Sequence, residues 1–429
     1  MNRRDGDEAL AGAVIAAAPQ AAANENEDTM KAVVFHGIGN ISLDKVPDPT
    51  LQHDQDAIVR LTASAICGTD LHMVRGTLPG MMPGTILGHE GVGVIEQVGR
   101  GVRNFKAGDR LLIPSTISCG ACSYCRKGYT AQCDSANPNG ASAGTAFFGG
   151  PQSTGPINGL QAQYARTPLA HASLIKLPES IDDERAILLS DIFPTGFFGA
   201  HIAEVSAGDT VAVFGAGPVG QFAVASAFML GAGRVIVVDR LEDRLAMARA
   251  QGGEAINFDD EDPVQAILAL TGGIGVDRVI DAVGVDAVHA QRGPAAQEET
   301  LRQGEQESRT VTPERKIKDG NWIPGDAPTQ VLDWGIAALA KAGTLGVIGV
   351  YPPGDRFFPI GAAMNKNVTM KMGNCNHRAV TPQLVERVRN GSFDPLCVLT
   401  TREPLTHVID AYKTFDQRQP GWIKVALEP

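Results

Sequence analysis

The stretch "TVAVFGAGPVGQFAVASAFMLGAGRVIVVDR" constrains this chain more than any other. "TVAVFGAG" reads as a buried apolar strand, "PVGQFAVASAFMLG" as a helix and "RVIVVDR" as the next strand. Gly215, Gly217 and Gly220 stand in G-x-G-x-x-G spacing where the strand turns into the helix. The first glycine permits the tight turn, the second lets backbone approach a pyrophosphate, and the third lets the helix pack on the strand. The helix N-terminus, beginning at Pro218 and Val219, offers free N–H groups and a positive dipole to phosphates. Asp239 closes "VIVVD" 19 positions past Gly220. Its carboxylate can accept both ribose hydroxyls of NAD and would repel the 2′-phosphate of NADP. Arg240 follows at once and could tolerate a phosphate, so NAD is the expected cofactor and NADP the alternative.

The pattern continues. "LEDRLAMARAQGG" is an amphipathic helix, "VDRVIDAVG" a third strand and "AGTLGVIGVY" a later one. Alternating strands and helices imply an α/β fold with a doubly wound parallel sheet. Residues 286–328 interrupt it with a stretch too polar for core, expected to be a surface loop or flap. From Met30 to about 175, short apolar runs split by Gly and Pro predict a β-rich domain. At 429 residues, two domains are expected. The net charge of −11 argues against nucleic acid or an anionic membrane as partner. There is no apolar run of the length that spans a bilayer. Residues 1–29, rich in Ala, Asn, Asp and Glu, read as a disordered extension.

Cys119, Cys122, Cys125 and Cys133 fall within one short loop. Four thiolates this close can close a tetrahedral zinc shell with no open position, which is a structural site. Concentrating four of the seven cysteines here points to the reducing cytoplasm and away from a disulfide framework. Upstream, Cys67 in "CGTDLH" and His89 in "GHEGVG" are a thiolate and an imidazole suited to a second zinc. A catalytic zinc needs a third protein ligand and one open position. Glu90 and Asp191 are the candidates, and strand alternation disfavours His89 and Glu90 as joint ligands. Thr69 and His72 have the placing of a proton relay, a hydroxyl beside the metal backed by an imidazole at the surface. His36, His53, His171, His201, His289 and His407 read as ordinary surface or core histidines, and Cys375 and Cys397 as packed thiols.

"CGTDLHMVRG", "GHEGVGVIEQVG", "CGACSYCRKGYTAQC" and "VFGAGPVG", in this order, resemble the zinc-containing medium-chain dehydrogenase/reductase family, the alcohol dehydrogenase superfamily. The resemblance runs from about residue 30 to the C-terminus. It implies a GroES-like catalytic domain (30–192 and 357–429) and a Rossmann domain (193–356), with two zinc ions per chain and NAD between the lobes. It assigns Cys67 and His89 to the catalytic zinc, Thr69 and His72 to the relay, and the four-cysteine loop to the structural zinc. It puts Asp239 on the ribose, Thr195 in the coenzyme set, and Lys424 on the coenzyme phosphates. The segment "SDIFPTGFFGA" is similar to the glutathione-independent formaldehyde dehydrogenase branch, where Asp191 would be the third ligand. In that branch an insertion like 286–328 covers the cofactor and slows its release. Ser115 stands where the branch often has Phe and should widen the substrate pocket. The family implies a small alcohol or aldehyde as substrate, with a polyol or threonine dehydrogenase, or an aldehyde dismutase with tightly held NAD, as the alternatives, and a homodimer or homotetramer.

Overall fold

The computed structural model describes residues 28–140 and 142–429. The predicted disordered extension therefore lies outside the described residues, apart from Asp28 and Thr29, and Thr29 already opens a strand.

The first lobe is built on antiparallel pairing. Strand Ala57–Ile66 pairs with Gly91–Val98, which pairs in turn with Arg110–Ile113. Residues from the far end of the chain complete this sheet. Val425–Glu428 pairs antiparallel with Ala57–Ile66, placing Val425 opposite Ile66, and Thr401–Pro404 flanks it. The lobe is thus discontinuous in sequence, and the tail is part of its core through Tyr412, Phe415, Val425 and Leu427.

The second lobe is a six-stranded parallel sheet. Its strand order is Glu254–Asn257, Arg234–Asp239, Thr210–Phe214, Val276–Asp281, Leu339–Val347, Thr369–Met372. Two of these strands left no apolar signature in the sequence. Glu254–Asn257 is half polar, and every residue of Thr369–Met372 is exposed. The last strand lies beyond 357, so the return to the first lobe comes later in the chain than expected.

The turn at the fingerprint follows the predicted logic. Gly215 has φ of +87°, and a Cβ on Gly220 would sit 1.8 Å from the Gly215 carbonyl oxygen. Only glycine tolerates either constraint. Helix Ile192–Ile202 is apolar nearly all round and is accordingly buried. Phe193 stacks on Phe222 of the fingerprint helix at 4.8 Å and meets Phe393 at 4.9 Å, which fixes this helix between the lobes.

Residues 286–328 are solvated over most of their length, as their polarity predicts, but they are also anchored at several buried points. They contain a helix, Glu298–Val311, and bury Asp286, Glu307, Ser308, Asn321 and Trp322. Most of these polar groups find a partner. Glu307 accepts from Thr329 and Gln303, and Ser308 donates to the Gly325 carbonyl. Both ends of the segment are tied to the first lobe. Arg75 Nη1 lies 2.8 Å from Asp286 Oδ2, and Arg75 Nε lies 2.9 Å from Asp416 Oδ1. Asp416 also accepts from the Trp322 backbone N–H at 2.7 Å.

Candidate active site

The four-cysteine loop comes together as predicted. The sulfur atoms of Cys119, Cys122, Cys125 and Cys133 lie within 4.8 Å of one another. A tetrahedral zinc with Zn–S near 2.3 Å separates its sulfurs by about 3.8 Å, and Cys122 Sγ lies 3.9 Å from Cys133 Sγ. Backbone N–H groups of Ala121 and Cys122 point at Cys119 Sγ at 3.4 and 3.3 Å. Burial alone would raise this thiol, but these donors prevail and bring it down to about 6. The four sulfurs are spaced to hold one metal, but burial raises the Cys125 and Cys133 thiols, so those two would become thiolates only through the metal itself.

A second cluster joins Cys67, His89, Glu90 and Asp191, all buried. Cys67 precedes helix Gly68–Arg75. His89 and Glu90 sit just before strand Gly91–Val98, not on it, so strand alternation does not separate them. Asp191 caps the buried helix Ile192–Ile202. Asp191 Oδ2 lies 3.7 Å from Cys67 Sγ and 3.4 Å from His89 Nε2. Tetrahedral zinc with ordinary bond lengths would put these pairs at about 3.6 and 3.4 Å. The donor set therefore fits zinc without rearrangement. The other ring nitrogen, His89 Nδ1, faces Asp70 at 3.2 Å, which leaves Nε2 to the metal side.

The two rival acids occupy different surroundings. Glu90 Oε1 is held by Lys424 Nζ at 2.5 Å, while Oε2 is buried without a hydrogen bond. Burial, more than its neighbours, raises the Glu90 carboxyl to about 7. Asp191 Oδ1 accepts from Thr195 Oγ1 at 3.0 Å and Ser115 Oγ at 3.1 Å, and lies 2.8 Å from His377 Nε2. Burial would raise Asp191, but hydrogen bonds from His377 and His89 prevail and hold it well below the usual carboxylate range. One oxygen is anchored and the other is aimed at Cys67 and His89.

His377 is the site residue that sequence reasoning missed. It lies 186 positions from Asp191, and "NCNHR" matches no metal-ligand spacing. It opens helix His377–Arg389 and is fully buried against Ser115, Thr116 and Asp191. Burial disfavours its cation, yet Cys375 and Asp191 outweigh this and raise the imidazole to about 10.

Several expected placements change. Lys424 is wholly buried, bonded to Glu90 and the Ile66 carbonyl, and does not line the coenzyme cleft. Its ammonium balances a buried carboxylate, which is the only way either could be tolerated there. Thr195 serves Asp191 and does not line the cleft. Ser115 also turns to Asp191. His72 is buried, with Nδ1 2.9 Å from Asp286 Oδ2 and 3.1 Å from Thr77 Oγ1, so it is no surface imidazole. Cys397 is exposed, not packed.

One cleft links the parts. Its walls include Cys67, Thr69 and His72 together with Gly215, Gly217, Pro218, Val219, Asp239 and Arg240. Phe258, Val331 and Trp334 supply apolar walls. Asp239 Oδ1 accepts from the backbone N–H of Arg240 and Leu241, and Oδ2 from Ala216. These three donors fix the carboxylate at the mouth of the fingerprint turn.

Comparison with known proteins agrees with this geometry. Residues 53–179 match the alcohol dehydrogenase GroES-like domain, and residues 218–292 match the zinc-binding dehydrogenase domain. An uncharacterized zinc-type alcohol dehydrogenase-like protein of Bacillus subtilis, AdhB, is 37% identical over 404 residues, covering 93% of this chain and 100% of its own. The glutathione-independent formaldehyde dehydrogenase of Pseudomonas aeruginosa is 41% identical over 272 residues, 60% of this chain and 66% of its own. Among solved structures, alcohol dehydrogenase TADH from Thermus sp. ATN1 superposes with a TM-score of 0.75 at 30% identity, covering 93% of this chain and 99% of its own. The chain belongs to the zinc-type alcohol dehydrogenases, oxidoreductases that pair a GroES-like domain with a Rossmann domain.

Proposed function

We propose that Cys67, His89 and Asp191 hold the catalytic zinc, that Cys119, Cys122, Cys125 and Cys133 hold the structural one, and that the chain oxidises a small alcohol or aldehyde hydrate with NAD. The observation that carries this is the aim of Asp191 Oδ2 at Cys67 and His89, with Cys67 lining the same cleft as the dinucleotide turn. Zinc bound there supplies Lewis-acid polarisation of the substrate oxygen. Thr69 Oγ1 lies 4.0 Å from Cys67 Sγ, beside the place where a substrate hydroxyl would sit, and takes up its proton. His72 shares the cleft wall and passes the proton onward, its ring oriented by Asp286. Asp239 receives the adenosine ribose, and the backbone at Gly217 receives the diphosphate. Glu90 is the reserve ligand, its free Oε2 within reach of the same metal.

The similarity to the formaldehyde dehydrogenase covers only part of both chains, yet two features favour that branch. Asp191 has the ligand's position, and the roots of the 286–328 segment line the cleft through Asp286. A segment latched in this way supports slow cofactor exchange and dismutation of aldehydes. The exposed edge strand Thr369–Met372, with Ile360 and Met364 also exposed, supports a dimer paired through the second lobe. Free cysteines throughout support a cytoplasmic setting. No described helix is long and apolar enough to cross a membrane.

The test is a panel of short alcohols and aldehydes assayed with NAD, and aldehydes assayed with no added cofactor. Zinc- and NAD-dependent turnover that vanishes in Cys67→Ser is the expected result. Turnover in Cys67→Ser at the unmodified rate would refute the zinc assignment, and no dismutation without added NAD would remove the tight-cofactor reading.

A further inference from the structure

One carboxylate stands behind both Cys67 and His89. Asp70 Oδ2 accepts the Cys67 backbone N–H at 2.9 Å, and Asp70 Oδ1 faces His89 Nδ1 at 3.2 Å. Neither Oδ1 nor Nδ1 has a hydrogen bond elsewhere among the described residues, so each is the other's remaining partner. The orientation of Asp70 therefore bears on two ligand residues at once. Asp70 is wholly buried, and the side chain that holds it in turn is Gln161.

Gln161 Nε2 lies 3.1 Å from Asp70 Oδ2 and 2.9 Å from the Ala65 carbonyl oxygen. Both neighbours are acceptors, so the amide must turn its NH2 group toward them and Oε1 away. Oε1 accepts from Tyr412 Oη at 2.8 Å, and Tyr412 comes from the tail helix Val408–Asp416. Burial raises the Tyr412 phenol well above its usual value, so it stays a donor. Gln161 and Tyr412 are both wholly buried. The fit beside the site is close: a Cβ on Gly88, next to His89, would sit 2.4 Å from Gln161 Cγ. Methionine would fill this space without the cost of burying an amide. What the amide adds is direction, since a fully bonded buried chain specifies one arrangement of its members.

We infer that Gln161 and Tyr412 are positioning residues of the catalytic metal site, acting on Cys67 and His89 through Asp70. This rests on the zinc reading above. The links are in series: Tyr412 fixes which end of the Gln161 amide faces Asp70, and Gln161 fixes Asp70 against the two ligand residues. The tail thus does more than complete the first lobe's sheet. It reaches the metal site from 251 positions beyond Gln161, on the side away from Asp191 and His377.

The experiment titrates zinc against a chelator in the full chain, in Gln161→Met, in Tyr412→Phe and in the double variant, with thermal midpoints alongside. The four-cysteine site is the internal control. Gln161→Met should weaken the catalytic zinc by about 10- to 100-fold, the usual cost of removing a partner that orients a ligand. Tyr412→Phe deletes one oxygen and keeps the ring in the core; it should weaken that zinc by roughly 2- to 10-fold, the worth of one hydrogen bond. The double variant should hold it no more weakly than Gln161→Met, because Tyr412 acts only through Gln161. A merely structural role would lower the thermal midpoints and leave the catalytic zinc affinity alone, and that result would overturn the proposal. So would equal weakening of both zinc sites, or losses that add in the double variant. If Gln161→Met does not fold, Tyr412→Phe decides by itself. If the unmodified chain binds only the structural zinc, the metal reading itself fails, which is a different outcome from two zinc ions whose affinities the variants do not change.

Discussion

Replacing Arg75 by Met tests whether the 286–328 segment is locked to the first lobe by charge. Arg75 is 4% exposed and bridges Asp286 and Asp416, its Nη2 lying 2.7 Å from Asp416 Oδ1. Methionine keeps most of the volume and removes the cation, leaving two buried carboxylates. Asp286 keeps His72 and the Gly325 N–H, and Asp416 keeps the Trp322 N–H. Breaking a buried pair from one side costs about 3–5 kcal/mol, against a total of about 5–15 for a typical domain. Urea unfolding followed by tryptophan fluorescence measures this, with Trp322 reporting from beside the network. The loss should be partly recovered in Arg75→Met/Asp286→Asn, which removes one orphaned charge. The pH dependence gives a second readout. Burial would raise the Asp286 carboxyl, but His72 and Arg75 hold it far below the ordinary range. A depressed folded value stabilises above the unfolded pKa, about 3.9, and that stability is lost as pH falls toward the folded value. Arg75→Met should flatten this acid limb. A loss below about 1 kcal/mol with an unaltered acid limb would refute the reasoning, since no buried pair leaves so small a trace.

Further outcomes concern the metal. Asp191→Ala should leave about one zinc per chain, while Glu90→Gln retains both. Plasma emission on the purified variants decides this, and loss of zinc in Glu90→Gln alone would reverse the two roles. His377→Phe should lower occupancy of the catalytic site by about 10- to 100-fold in zinc affinity, the usual cost of removing a partner that orients a ligand. The structural zinc should stay. Chelator titration with a colorimetric indicator measures both, and an unchanged catalytic affinity would show that Thr195 and Ser115 suffice to aim Asp191.

What the sequence determined by itself is what short spacing can encode. The fingerprint turn is legible because backbone geometry demands glycine at Gly215 and Gly220. The cysteine loop is legible because one ion must be reached from 15 consecutive residues, Cys119 to Cys133. Cys67, Thr69 and His72 are readable together because one short helix and its N-cap carry them. The tertiary structure alone decided the pairings between distant residues. Lys424 could be matched to phosphate or to Glu90, 334 positions away, and only folding shows that a buried carboxylate claims it. The 286–328 segment is as solvated as its polarity predicts, but Asp286 and Glu307 are buried, one against Arg75 and the other against Thr329. Asp191 owes its aim to His377, and that arrangement leaves no periodic mark on the chain. Electrostatic partners are chosen by distance in space, which local sequence does not record.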